Sequence, residues 1–313
     1  MIRANDKIYV AGHRGMVGSA LVRLLKEKGF GNLVLRTHAE LDLCSQQAVK
    51  EFFEQERPNV VIDAAARVGG IKANMEHPAE FLYENMMIQT NLIHQAYCND
   101  VRQLCFLGSS CIYPKQCPQP IKETYLMTGP LEPTNEGYAV AKIAGMKMQE
   151  FYRRQYGLSW ISVMPCNLYG TNDCFDLERS HVLSALVKKF VDAVDEKQPT
   201  VEVWGTGKAR REFLHVDDAA DGILFALEHY DDDRTINLGS GQDVSIRKLV
   251  EMVKATVGFQ GKVVWDKSKP DGMLRKCMDV SRIKALGWQP KISLAQGIEQ
   301  MVSEYRQLKK GRG

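Results

Sequence analysis

The sequence lacks the marks of several protein classes. Its eight cysteines are Cys44, Cys98, Cys105, Cys111, Cys117, Cys166, Cys174 and Cys277, and no two form a CxxC pair. That spacing argues against zinc frameworks and against a secreted disulfide scaffold. No apolar run approaches the ~20 residues that a membrane-spanning helix needs. The opening stretch MIRANDKIYVAGH holds no apolar core segment of a secretory signal. Excess charge is small: 41 Lys and Arg stand against 38 Asp and Glu, a net +3. Such a balance does not by itself point to nucleic acid or to a membrane surface. Internal repeats, low-complexity stretches and obvious linkers are also missing. The expectation is a reduced, cytoplasmic-type protein.

What is there reads as an ordinary globular chain, with 44% hydrophobic and 25% charged residues in 313. The length suits one large domain or two that share a core. The first half alternates short apolar runs with helical spacing. KIYVAG (7–12), LVLR (33–36), VVIDAAA (60–66), QLCFLGSS (103–110) and SWISVMP (159–165) read as strands. Segments 16–29, 45–56, 78–99 and 135–157 read as helices. This rhythm predicts an α/β protein built on a Rossmann-type, doubly wound parallel sheet with right-handed crossovers. After Gly170 the rhythm loosens, which predicts a smaller C-terminal α/β lobe against the sheet's carboxyl edge. The expected division is a dinucleotide-binding domain over 1–170, with 212–240 returning to it, and a substrate lobe over 171–313.

AGHRGMVG (11–18) places Gly12, Gly15 and Gly18 between the first strand and the first helix. Glycines there allow a tight turn and let backbone N–H groups approach a pyrophosphate at the helix N-terminus. An ordinary glycine turn is the bland alternative. An acid at the end of the second strand would hold a ribose 2′-hydroxyl and favour NAD. Arg36 and His38 stand there instead, and Arg14 lies within the loop. Positive charge favours a 2′-phosphate, hence NADP(H). Asp42 and Leu43 could border the adenine, and Asp42 could equally cap the 45–56 helix.

YAVAK places Tyr138 and Lys142 four apart, on one helix face. A nearby ammonium stabilises a phenolate and would lower the tyrosine's pKa from about 10. Reduction of a ketone needs such a proton donor as the alkoxide forms. Ser109, expected at the end of the fourth strand, would hydrogen-bond the same oxygen. Glycine turn, strand-end serine and YxxxK helix occur in that order.

This layout resembles the extended short-chain dehydrogenase/reductases. GHRGMVGSA, FLGSSCIYPK, LEPTNEGYAVAKIAG, SVMPCNLYG, VWGTGKARREFLHVDD and KPDGMLRKCMDVSR are similar to one subfamily over nearly the whole chain. That subfamily is the GDP-4-keto-6-deoxy-D-mannose epimerase/reductases. The resemblance implies an NADPH-dependent homodimer. It acts on a sugar nucleotide at C3 and C5 by epimerisation and at C4 by reduction.

Protons alpha to the C4 ketone are acidified by the carbonyl, so an acid and a base on the two ring faces could invert those carbons. Cys111 and His181 are the candidates. If the chain stays extended after Ser109, Cys111 points to the same side as Ser109. Thiol and imidazole pKa values near 8.5 and 6.5 would suit exchange near neutrality. Ser180 reads as the N-cap of the helix that follows His181, and a helix N-terminus keeps an imidazole neutral. Packing remains the plain alternative for Cys111, and a helix-start hydrogen bond for His181. The resemblance implies the acid/base roles for both.

The dinucleotide-facing set expected on this layout also includes His13, Met16, Val17, Leu41, Ala65, Leu107, Gly108, Lys142, Pro165, Cys166, Asn167, Leu168 and His181. For the GDP-sugar the expected residues are Lys189, Trp204, Arg211, Asp271 and Arg275. Lys188 competes with Lys189, and Trp204 could instead be lobe core. In FLHVDDAADGILFAL the aspartates are expected to cap a helix and tie the lobe to the sheet. A reductase for a related GDP-deoxysugar remains open. A sugar-nucleotide 4-epimerase or a dehydratase is the next rival. A dehydratase wants an acidic pair beside the serine, and a 4-epimerase retains NAD. A scaffold that binds dinucleotide without chemistry is the non-enzymatic alternative.

Overall fold

The computed structural model describes residues 2–177, 180–269 and 272–311. In chain order the first half runs β1 (Ile8–Ala11), α1 (Met16–Glu27), β2 (Leu33–Val34), α2 (Gln46–Glu56), β3 (Val60–Asp63) and α3 (Ile71–Glu76). α4 (Pro78–Cys98), β4 (Gln103–Leu107), α5 (Glu136–Tyr156), β5 (Ile161–Pro165) and β6 (Asn167–Tyr169) follow. The second half runs α6 (Val182–Asp195), β7 (Thr200–Trp204), β8 (Arg210–His215), α7 (Val216–His229), β9 (Ile236–Leu238) and β10 (Asp243–Ser245). It ends with α8 (Ile246–Val257), β11 (Lys262–Asp266), β12 (Arg275–Lys276), α9 (Ser281–Ala285) and α10 (Leu294–Lys310).

The main sheet has six strands in the order β2-β1-β3-β4-β5-β9. Every pairing in it is parallel. Its central strands are buried along their whole length, β1, β3 and β4 without a single exposed position. Helices on both faces explain why these strands read as continuous apolar runs rather than alternating ones. α1 buries Gly18, Leu21 and Leu25 on one stripe, at helical spacing. The chain leaves β1 toward β2 and returns on the other side as β3. The crevice above the β1/β3 switch is where such sheets bind ligands. The glycine turn opens onto it.

Residues 216–238 supply α7 and β9 to this sheet's layers, and α7 packs on α1 through the Arg23–Asp217 ion pair at 2.6 Å. The second core is built from α6, α8, α10 and the strands between them. β8 pairs with β6, β10 and β12, and β7 pairs with β11. Asn172 stitches the two halves: its amide donates to the Arg14 carbonyl at 2.8 Å.

Several local expectations are corrected. The second strand stops at Val34 rather than Arg36, because Arg36 turns to the foot of α2 and donates to Glu56 at 2.5 Å. The fourth strand stops at Leu107. Ser109 then caps a one-turn 3-10 helix, Ser110–Ile112, by accepting from the Cys111 N–H at 3.4 Å. The period-two argument for Cys111 therefore fails, since the chain there is coiled. Ser45, not Asp42, caps α2, accepting from the Ala48 N–H at 3.3 Å. Asp42 instead accepts from Cys44 N–H. α6 begins at Val182 with His181 as its N-cap, so Ser180 is not the cap. α7 is capped by His215, whose ring accepts from Asp217 N–H at 3.3 Å. The aspartates of that helix tie elements together instead. Asp218 accepts from the Lys291 and Ile292 N–H groups, and Asp221 accepts from Trp288.

Candidate active site

One cavity of about 1210 Å³ runs along the carboxyl edge of the main sheet and into the second lobe. Its walls bring together the glycine turn, the second-strand end, the serine loop, the YxxxK helix and the start of α6.

The glycine turn forms the floor at one end. Gly12 has φ +74, and a Cβ there would lie 2.6 Å from the Ala64 carbonyl oxygen. Its backbone thus needs both left-handed freedom and contact with β3. A Cβ on Gly18 would lie 2.2 Å from the Gly12 carbonyl oxygen, so this glycine lets α1 pack against the turn. Gly12, His13, Arg14, Gly15, Met16 and Val17 line the cavity, and Gly18 lies behind them. Arg36, His38, Leu41, Asp42, Leu43 and Ala65 form the next stretch of wall. Arg36 is engaged: beside its pair with Glu56, its guanidinium stands 5.8 Å from the Phe52 ring centroid. His38 and Asp42 face each other at 3.9 Å. Burial and the Arg14 guanidinium both push the His13 imidazole pKa down.

The reactive groups meet above β4. Ser109, Cys111, Tyr138, Lys142 and His181 all line the cavity. The Ser109 hydroxyl reaches both the Tyr138 phenol and the Cys111 thiol. Lys142 is buried, and its ammonium donates to the Leu107 carbonyl at 2.9 Å over the Phe106 ring. Burial pushes the Tyr138 pKa well up, aided by Cys111 and Asp63. The expected lowering by Lys142 is therefore not met, because desolvation exceeds it and the ammonium is turned to Leu107. Tyr138 is a phenol at neutral pH, which suits a proton donor. Burial likewise raises the Cys111 thiol, opposed first by Lys276 and then by Ser109 and Lys142.

His181 is exposed and lines the same cavity, at the N-terminus of α6. Asp173 also lines it and is held by the Ser184 hydroxyl at 3.0 Å. Leu107, Gly108, Pro165, Cys166, Asn167 and Leu168 complete this region, and the Asn167 amide donates to the Glu212 carbonyl at 2.8 Å.

Toward the second lobe, Trp204 and Arg211 line the cavity. Trp204 is 61% exposed, so it is not lobe core. The Lys189 ammonium stands 5.7 Å from its ring centroid and donates to the Glu202 carbonyl. Lys188 is committed elsewhere, to Asp192 at 3.0 Å and the Tyr305 hydroxyl at 2.9 Å. Among the described residues, the lining leaves out Lys189 and Arg275, and the latter pairs with Asp243 at 2.5 Å. Asp271 lies outside the described residues.

Lys276, Asp173 and Asn74 are among the wall residues that escaped the sequence reading. Lys276 lies in KPDGMLRKCMDVSR beside Arg275 and was passed over for it, and the pairing of β12 with β8 brings it to the site; Asp173 sits in a segment without a motif of its own. Asn74, on α3, is 6% exposed, and its side-chain oxygen has no partner among the described residues. Its signal would have been a polar residue on the buried face of a short helix.

A Rossmann-type sheet with a serine, a YxxxK pair and a second lobe defines an extended short-chain dehydrogenase/reductase. Residues 8–239 match the NAD dependent epimerase/dehydratase family, and the chain belongs to it. It is 58% identical over 299 residues to GDP-L-fucose synthase 1 of Arabidopsis thaliana, covering 96% of this chain and 93% of that one. It is 50% identical over 304 residues to GDP-L-fucose synthase of Escherichia coli (strain K12), covering 94% and 95%. Among solved structures, a GDP-D-glycero-L-gluco-heptose synthase from Campylobacter jejuni, determined in the presence of NADPH, superposes with TM-score 0.91. It is 40% identical, over 98% of this chain and all of that one, 100%.

Proposed function

We infer that the protein converts GDP-4-keto-6-deoxy-D-mannose to GDP-L-fucose. The conversion comprises epimerisation at C3 and C5 and NADPH-dependent reduction at C4. The observation that carries this reading is the single cavity holding Ser109, Tyr138 and Lys142 together with Cys111 and His181. The names of the relatives support the choice of substrate.

The cavity's dinucleotide end fits an NADP(H) molecule. The N-cap of α1 is Gly15, and its first turn carries no acidic residue. Its first N–H groups are therefore suited to an anion. Arg14, Arg36 and His38 would meet the adenosine half, and Leu107, Pro165, Asn167 and Leu168 the nicotinamide half. When bound, the reduced dinucleotide supplies the hydride for C4.

Tyr138 donates its proton to the C4 oxygen as it becomes an alkoxide. Ser109 holds that oxygen with a second hydrogen bond, and the Lys142 charge beneath favours the phenolate that is left. Cys111 and His181 stand on two walls of the cavity. One removes the proton alpha to the ketone, and the other returns a proton to the opposite ring face. Arg211 and Trp204 hold the nucleotide, with Lys189 and Arg275 as further cations outside the cavity wall and Asp271 as a partner for the ribose.

The proposed division is a dinucleotide domain, 1–170 with 212–240, and a mainly substrate-binding lobe, 171–313; the first core also takes in Met278, Val280, Ile283 and Trp288, and the second takes in Tyr169 and Phe213. A homodimer is proposed through α4 and α5. Their outer faces expose Leu82, Tyr83, Val140, Phe151 and Tyr156, an apolar set that a second copy would cover. All eight cysteines are free thiols, which suits a reducing, cytoplasmic compartment. Among the described residues no helix is long and apolar enough to cross a membrane.

The test is turnover. NADPH should be oxidised in the presence of GDP-4-keto-6-deoxy-D-mannose, with GDP-L-fucose identified as product. Absence of NADPH oxidation with that substrate overturns the reading.

A further inference from the structure

Cys111 poses a problem for any proton-exchange role. Its thiol is 7% exposed, and burial favours the neutral form. A base made from that thiol needs a neighbour that stabilises the thiolate. Lys276 lies on the wall of the same cavity.

The fold fixes this neighbourhood from both sides. Lys276 pairs in register with Arg211 of β8, at the end of β12. The next residues are stitched to the loop that follows Cys111. The Ile121 N–H donates to the Cys277 carbonyl at 2.8 Å, and the Asp279 N–H donates to the Ile121 carbonyl at 2.8 Å. The Cys277 N–H donates to the Gln119 side chain at 3.0 Å. The lysine is therefore held against the Cys111 loop by backbone bonds, not by a flexible tether.

Burial lowers the pKa of Lys276; Cys111 opposes that most, Arg211 adds to it, and Cys166 and Cys117 oppose it more weakly. The groups around Cys111 are Lys276, Lys142, Ser109 and the Tyr138 phenol. Lys142 is occupied by the Leu107 carbonyl and faces Asp63. Lys276 is the cation that acts most strongly on the Cys111 thiol, and Cys111 is the group that most favours the Lys276 charge. An ammonium in a low-dielectric wall gains from any anion formed beside it.

We propose that Lys276 is a positioning residue for the epimerisation chemistry: its ammonium, fixed beside Cys111, stabilises the thiolate and so lets Cys111 exchange protons. This rests on the epimerase reading of the cavity. The proton leaves Cys111 for solvent or the partner base, and Lys276 takes no part in the transfer.

The experiment is the pH dependence of Cys111 alkylation by iodoacetamide, followed by mass spectrometry of the peptide in the full chain without sugar. Lys276→Gln should move the profile to higher pH, with the rate at neutral pH falling about tenfold for each pKa unit. Lys276→Arg should keep the wild-type profile. An unchanged profile in Lys276→Gln overturns the proposal, even if the KM for the GDP-sugar rises, since that would mark a phosphate contact instead. Should Lys276→Gln fail to fold, the reciprocal measurement decides. Cys111→Ala should speed reductive methylation of Lys276 above pH 8, because the amine loses the anion that holds its proton. Equal rates with and without the thiol overturn the proposal too. Neither readout uses the substrate, so failure of the epimerase reading would appear separately, as absent deuterium exchange into the sugar.

Discussion

Ser109 is the residue whose loss should be felt in both chemistries. Its hydroxyl reaches the Tyr138 phenol and the Cys111 thiol, and accepts from the Cys111 N–H at 3.4 Å. Ser109→Ala removes all three contacts at once. The long N–H contact is worth about 0.5 kcal/mol at most, so the fold should stay within a degree or two of its Tm. The donor to the developing alkoxide is worth far more. Removing one such donor costs about 3–4 kcal/mol in a water-poor site, or a 10²- to 10³-fold loss of kcat. Exchange at C3 and C5 should fall less, by about tenfold, because the ketone and both exchanging groups remain. The assay combines NADPH oxidation at 340 nm with NMR of deuterium incorporated from solvent. Full reduction with lost exchange would refute the reasoning. So would an unfolded variant, because it would make Ser109 structural.

Other outcomes follow from the same geometry. Cys111→Ser should slow solvent deuterium uptake at C3 or C5 far more than hydride transfer, and unchanged uptake removes Cys111 from the mechanism. Trp204→Ala should raise the KM for the GDP-sugar several-fold while leaving the Tm within 1 °C or so, since a side chain 61% exposed supports little packing; a large loss of stability would contradict this. Gly18→Ala should weaken NADPH binding and cost about 3 kcal/mol or more in a denaturant titration, because its Cβ would sit 2.2 Å from a backbone oxygen that cannot yield. Asp63 is fully buried, and burial raises its carboxyl to about 6 from 3.8. The folded state holds that proton more tightly than the unfolded one, so this group's contribution is complete below about pH 4 and falls as pH rises to about 6. The difference is at most about 3 kcal/mol. Asp63→Asn should flatten the urea midpoint between pH 4 and 7, and an identical slope in both proteins would contradict the assignment.

Much of the site could be read before folding. Gly12, Gly15 and Gly18 have a spacing with a backbone reason, and Tyr138 and Lys142 share a helix face by arithmetic alone. Ser109 and Cys111 both line the cavity, but not on one side of an extended chain: the serine caps a 3-10 turn that coils the next residues and presents the thiol by a different route. Charge was misread in a similar way. A lysine four residues from a tyrosine was expected to lower its pKa, but desolvation and the Leu107 carbonyl reverse the outcome. Single cations were hardest. Lys188 and Lys189 are neighbours in sequence, and only packing sends one to Asp192 and the other to Trp204.

The sequence by itself determined the alternation of strands and helices in the first half, the glycine turn after β1 and the shared helix face of Tyr138 and Lys142. These rest on local rules: period, chain reversal at glycine and the i, i+4 face of a helix. Tertiary structure alone decided which distant residues complete the site. Lys276 joins the cavity wall because β12 pairs with β8, and Asp173 is held at the start of α6 by the Ser184 hydroxyl. Protonation was decided there too. Whether a phenol or thiol keeps its proton depends on how much water the surrounding walls exclude, and no residue carries that information in its own name.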